Sequence, residues 1–144
     1  MSQLLQEIES LRQPMKELND FIFDHPELGN EEFQAHELLT NLLEQEGFTV
    51  DREVSGLKTA FRAVYHVNGG GPKIGLLCEY DALEGLGHAC GHNLQGPSIC
   101  TAAIALKRTL QTPCTLVVYG TPAEETASGK LVIAREGVFD DLDL

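Results

Sequence analysis

The stretch "KIGLLCEYDALEGLGHACGHN", Lys73 to Asn93, decides how this chain folds. Its first part stays apolar through Cys78. That length suits a strand, and the nearly unbroken hydrophobicity predicts one buried on both faces. A polar, glycine-rich loop follows. Beyond it a helix rich in Ala, Ile and Leu is predicted over Ser98 to Leu110, and then a second apolar strand, "PCTLVVYG", over Pro113 to Gly120. Another polar loop, Thr121 to Thr126, leads into a predicted helix over Ala127 to Glu136, closed by Gly137. Strand, loop, helix, strand, loop, helix is the pattern of a right-handed α/β crossover with parallel strands. The predicted fold class is therefore α/β, with a central, mainly parallel or mixed sheet flanked by helices.

Upstream of that unit, Leu4, Ile8, Leu11, Met15, Leu18 and Ile22 recur at helical spacing and form one apolar stripe. Pro14 interrupts it and predicts a kink or a restart near Gln13. A second helix is expected to start at an Asn30 cap with Glu31 and Glu32 in its first turn. It carries Phe33, Leu38, Leu39, Leu42 and Leu43, and Gly47 is its expected C-terminal glycine. Short strands are expected over Phe48 to Val54 and Thr59 to Val67. The turn "NGGGP", Asn68 to Pro72, predicts a hairpin joining the latter to Lys73 to Tyr80.

The chain of 144 residues suffices for one domain with a core. Its net charge of −12 disfavours phosphate backbones and anionic membranes. No apolar run approaches the roughly 18 residues of a membrane span. The N-terminus lacks the basic and apolar regions of a signal peptide. Four cysteines are too few for a disulfide scaffold, so a reducing cytoplasm is expected.

Both unusual loops follow apolar strands, and in open α/β sheets the carboxyl ends of strands carry the ligand site. Cys90 and His92, spaced around Gly91, present a thiolate and an imidazole suited to Zn²⁺ and its neighbours. The same residues also fit a glycine turn holding a capped histidine and a buried thiol. Glu124 and Glu125 are adjacent carboxylates after an apolar strand, a costly arrangement unless a cation compensates it. A metal would divide their work: one carboxylate holds the ion, the other accepts a proton from water. Alternatively they are first-turn helix acids behind a Thr121 cap and Pro122. Asp81 either orients a ligand histidine or starts an Asx turn, and Glu79 points to the same side in an extended chain. A thiol hydrolase built on Cys90 with His88 or His92 as base leaves the glutamate pair unexplained. His25, His36 and His66 are expected to be surface or packing residues.

Three stretches in register carry a resemblance. "HPELGNEE" (His25 to Glu32), "EYDALEGLGHACGHN" (Glu79 to Asn93) and "YGTPAEE" (Tyr119 to Glu125) resemble the metal-dependent amidohydrolases of metallopeptidase family 20, subfamily D. The wording is most similar to the aminobenzoyl-glutamate hydrolase and acyl-dipeptidase-like branch. The resemblance implies that Cys90, His92 and Glu125 are metal ligands, that Glu124 is the general base, and that Asp81 supports the metal site. It implies hydrolysis of amide bonds in N-acyl amino acids or dipeptide-like compounds, with two divalent ions, Zn or Mn, per complete site. Asn93 stands where many such proteins have Asp. It also implies that residues 1–144 form the N-terminal part of a catalytic domain. The later metal-binding histidines and the lid domain that commonly forms a homodimer are absent, so the chain alone is expected to be inactive. A non-catalytic binding module of the same fold is the alternative expectation.

Overall fold

The computed structural model describes residues 2–144. Helix α1 spans Gln3–Ser10 and α2 spans Arg12–Asp24. They break at Leu11 rather than at Gln13. A proline ring collides with the carbonyl four residues before it, and for Pro14 that residue is Ser10, the last of α1. Pro14 itself then sits in the first turn of α2, where its missing N–H has no helical acceptor anyway. Leu11 and Ile22 are the buried members of the stripe.

Helix α3, Phe33–Gln45, buries Ala35, His36, Leu39, Thr40 and Leu43. Gly47 ends it as expected, with φ 83°. The Gly47 N–H bonds to the Glu44 carbonyl at 2.9 Å and the Phe48 N–H to the Leu43 carbonyl at 3.0 Å, the paired bonds of a Schellman motif. Its start differs from expectation. Asn30 is not the cap but a turn residue with φ 66°. Glu32 occupies the cap position without a side-chain bond to the helix, because its carboxylate is buried elsewhere. The Glu27 carboxylate does the capping from a distance, accepting the Gln34 and Ala35 N–H groups at 3.0 Å. Phe33, expected on the apolar face, is exposed.

The sheet has four strands: β1 (Thr49–Arg52), β2 (Phe61–Val67), β3 (Lys73–Cys78) and β4 (Cys114–Gly120). Their order is β1-β2-β4-β3. The predicted hairpin between β2 and β3 is therefore wrong. β4 lies between them, antiparallel to β2 from Phe61↔Gly120 to Val67↔Cys114 and parallel to β3 from Lys73↔Thr115 to Cys78↔Gly120. The physical reason is burial: every residue of β4 is buried, whereas β2 and β3 carry half-buried and exposed positions. The most apolar strand takes an interior place, between β2 and β3. The sheet is mixed, with antiparallel pairing at β1–β2 as well.

The expectation that β3 is buried on both faces also fails, since Leu77 is exposed and only Cys78 is fully covered. β3 is a sheet margin. Residues 143 and 144 bond along it, with Gly75 N–H to the Leu144 carbonyl at 2.8 Å and Asp143 N–H to the Lys73 carbonyl at 2.9 Å.

Helix α4, His92–Thr109, crosses from β3 to β4. It begins six residues before the predicted Ser98, because Gly91 (φ 90°) turns the chain directly into it and Pro97 lies inside it. Leu116 and Val118 of β4 pack with Leu39, Leu43, Cys100 and Ile104 in the main core. Each fully buried side chain of this kind contributes about 1.5–3 kcal/mol by leaving water. On the other face, Tyr119 meets Phe139 edge-on at 4.9 Å. Helix α5 is shorter than expected, Gly129–Arg135, followed by Gly137 with φ 72°.

Candidate metal centre

Parallel pairing of β3 and β4 brings their carboxyl ends to one edge of the sheet. The Thr121 N–H continues the ladder to the Cys78 carbonyl at 2.8 Å, so the chains leave the sheet side by side. The loops of residues 79–91 and 121–128 then face each other, and His92, the first residue of α4, stands between them.

Asp81 organises the centre. It is fully buried. Its Oδ1 lies 3.0 Å from His92 Nδ1, and its Oδ2 accepts the Glu125 N–H at 3.0 Å. The Asp81 carbonyl lies 3.1 Å from the same Nδ1 and accepts from the Cys90 Sγ at 3.6 Å. With only acceptors around Nδ1, that nitrogen donates a proton, and Nε2 faces the cleft. Asp81 therefore joins both loops and orients the histidine ring.

Carboxylates crowd Nε2. Glu79 Oε2 is 3.1 Å away, Glu124 Oε2 3.8 Å and Glu125 Oε1 3.9 Å. Such a cluster calls for a cation. Two donor sets have ligand atoms within 4.8 Å of one another: Cys90, His92 and Glu125, and Glu79, His92 and Glu124. One imidazole nitrogen cannot bind two ions. The second set already has a counter-charge, because the Lys130 ammonium pairs with Glu79 and lies 3.7 Å from Glu124. Among the described residues the first set has no such partner, and its thiol, imidazole and carboxylate suit a divalent ion of borderline softness.

The five residues singled out from the sequence, Asp81, Cys90, His92, Glu124 and Glu125, thus converge. The glutamates do not occupy the first turn of a helix; they lie in a turn, and α5 starts only at Gly129. Asp81 is not merely a turn former, since both its oxygens are engaged. Glu79 is more central than its place in the sequence suggests, and the strand-end alternation that puts it on the side of Asp81 was the available signal. Lys130 had none. Burial pushes the Cys90 thiol above its ordinary range, and the Glu125 carboxylate adds to that. A nucleophilic cysteine needs the opposite. His88 is buried with both ring nitrogens unpartnered, and burial lowers its pKa. His36 is a packing residue, edge-on to Phe61 at 5.8 Å, while His25 and His66 are exposed.

No family model matches the chain. A component of the p-aminobenzoyl-glutamate hydrolase of Escherichia coli (strain K12) is 44% identical over 156 aligned residues, covering 94% of this chain and 32% of that protein. The Xaa-Arg dipeptidase of Mus musculus is 41% identical over 140 residues, covering 88% and 32%. A Bacillus subtilis structure, described as a dinuclear metal binding peptidase from the M20 family, matches with TM-score 0.83 at 25% identity, over 93% of this chain and 41% of that one. An aminobenzoyl-glutamate utilization protein from Klebsiella pneumoniae shares the fold, with TM-score 0.77 at 21% identity over 99% of this chain and 44% of that one. The chain spans about a third of the length of the curated relatives it matches. By sequence and fold together, the chain is similar to a part of these hydrolases and peptidases, and it shares its fold with a structure described as an M20 family peptidase.

Proposed function

We propose that this chain supplies the ion-holding loops of a metal-dependent hydrolase that cleaves amide bonds in N-acyl amino acids or dipeptide-like compounds. The convergence of Cys90, His92 and Glu125 around one point carries this reading. These three side chains hold the ion, Zn or Mn, in a site that takes two ions when complete. A bound ion would supply Lewis acidity toward the scissile carbonyl and water. Glu124, beside the same histidine, accepts the proton that water loses and returns it to the leaving nitrogen. Asp81 holds the His92 ring so that Nε2 faces the cleft.

The substrate class follows the relatives' names, which include a p-aminobenzoyl-glutamate hydrolase, an Xaa-Arg dipeptidase and a hippurate hydrolase. The short span of the match supports a further part of the proposal. Residues 1–144 act as the N-terminal part of the catalytic domain, and further ligands and a lid that forms a homodimer lie in other segments, without which turnover is lost. Cytoplasmic location belongs to the same proposal, supported by four unpaired cysteines. Among the described residues no helix is long and apolar enough to cross a membrane. The acidic balance argues against nucleic acid as partner.

Elemental analysis of the chain after loading with Zn or Mn tests the reading. Near-stoichiometric metal in the parent, lost in Cys90→Ser and Glu125→Gln, is expected. Equal metal content in parent and variants would overturn the assignment.

A further inference from the structure

The loop Pro26 to Glu32 contains most of the "HPELGNEE" stretch, yet none of its side chains belongs to either donor set. It touches both acid loops instead. The Glu27 carbonyl accepts the Ala82 N–H at 2.8 Å, and Leu28 forms a bridge with Ala82, next to Asp81. The same Glu27 caps α3 through its carboxylate, so the loop is anchored to a rigid element.

At its other end Glu32 is fully buried. Its Oε1 accepts the Ala123 N–H at 2.8 Å, and its Oε2 accepts the Thr59 hydroxyl at 2.8 Å. Ala123 immediately precedes Glu124 and has φ 57°, a left-handed conformation that a non-glycine residue keeps only when its surroundings impose it. Gly29 packs against the same spot. A Cβ there would lie 2.8 Å from Ala123 Cα and 2.5 Å from Thr126 Oγ1, so only glycine permits the approach.

We propose that the loop Pro26 to Glu32 is a clamp that fixes the two acid loops relative to each other, with Glu32 the positioning residue for Glu124 and Glu125. The inference rests on the metal reading above only for its consequence, a weaker ion site when the clamp is cut. Glu32 touches no candidate ligand side chain and acts through the backbone of Ala123. Glu32→Ala leaves the buried Ala123 N–H without an acceptor and releases the strained turn. Glu32→Gln keeps an oxygen for that N–H, and its amide can donate to the Thr59 hydroxyl.

Amide hydrogen exchange and Co²⁺ titration on the same samples test the clamp. In Glu32→Ala, exchange at the Ala123 and Glu125 amides is expected to rise about tenfold more than in the core of β4, the mark of local rather than global opening. Co²⁺ affinity is expected to fall about tenfold, the usual scale for losing a support of a metal ligand. Glu32→Gln is expected to stay within about threefold of the parent in both. Leu43→Ala, a core change away from the clamp, should raise exchange without singling out Ala123. If Glu32→Ala does not fold, Thr59→Val removes one partner of Glu32, and a selective rise at Ala123 is again expected.

No selective rise at Ala123 would overturn the clamp. So would a selective rise with unchanged Co²⁺ affinity. If the parent takes up no Co²⁺, the metal reading fails while the exchange result still decides whether the loop is a clamp.

Discussion

The strands β3 and β4 begin and end very differently. Where they begin, the chain turns through Asn68, Gly69 and Gly70, all at positive φ, and is held by an Asn68 side chain bonded to the Gln111 carbonyl at 2.7 Å. Where they end, the chain again uses positive φ, at Gly85, Gly87, Gly91 and Ala123. Unusual backbone therefore does not distinguish the two ends. The distinction lies in buried acceptors. At the carboxyl end Asp81 and Glu32 are fully buried, each joining two segments of chain, and a histidine nitrogen is left facing three carboxylates. A turn needs only permissive residues, whereas a site needs polar groups whose partners are fixed in advance.

The largest effect that would sharpen this contrast is at Asp81. Asp81→Ala removes the acceptor for the Glu125 N–H and leaves His92 Nδ1 with the residue's backbone carbonyl alone. A loss of about 10–100-fold in metal affinity is expected from calorimetric titration, as for other residues that orient a ligand. Unchanged affinity would mean that His92 needs no orientation. Next is glycine. At Gly120, the last residue of β4, a Cβ would lie 2.2 Å from the Phe61 ring, whereas at Gly69 nothing lies within 4 Å. Gly120→Ala is expected to cost about 1–3 kcal/mol through overpacking. Gly69→Ala should cost about 1 kcal/mol, through its positive φ alone. Chemical denaturation of the two variants measures the difference, and equal costs would break the contrast between the ends.

The smallest expected effect is a pH dependence. Burial raises the Glu32 pKa, outweighing the hydrogen bonds from Thr59 and Ala123 that lower it. A carboxyl group raised in the folded state binds its proton more tightly there than in the unfolded chain. Its contribution to stability is full below the ordinary glutamate range and is lost as pH rises through the folded value. Over that window the parent should lose stability relative to Glu32→Gln, as thermal unfolding across a pH series would show. A parent that gains stability relative to the variant would reverse the sign and contradict the burial.

Much of this molecule was legible in its residues. The unit of β3, α4 and β4 follows from hydrophobic runs separated by polar loops, and the Gly47 stop follows from helix termination chemistry. The convergence of Cys90, His92, Glu124 and Glu125 follows from parallel strands that end together. What was missed depends on contacts distant in sequence. "NGGGP" has hairpin composition, but nothing local says that β4, far along the chain, will enter between β2 and β3. Asn30 has cap chemistry, but Glu27 reaches the α3 amides first, freeing Glu32 to be buried. The predicted start at Ser98 is late, because Gly91 turns the chain into the helix at His92. Lys130 meets Glu79 and Glu124 only because the turn after β4 folds back over the loop after β3.

X-ray absorption at the edge of the bound ion tests the central claim most directly. With Zn loaded, the account predicts one sulfur at about 2.3 Å together with nitrogen and oxygen at about 2.0–2.2 Å, and loss of the sulfur in Cys90→Ser. A shell of nitrogen and oxygen alone, unchanged by Cys90→Ser, would contradict it.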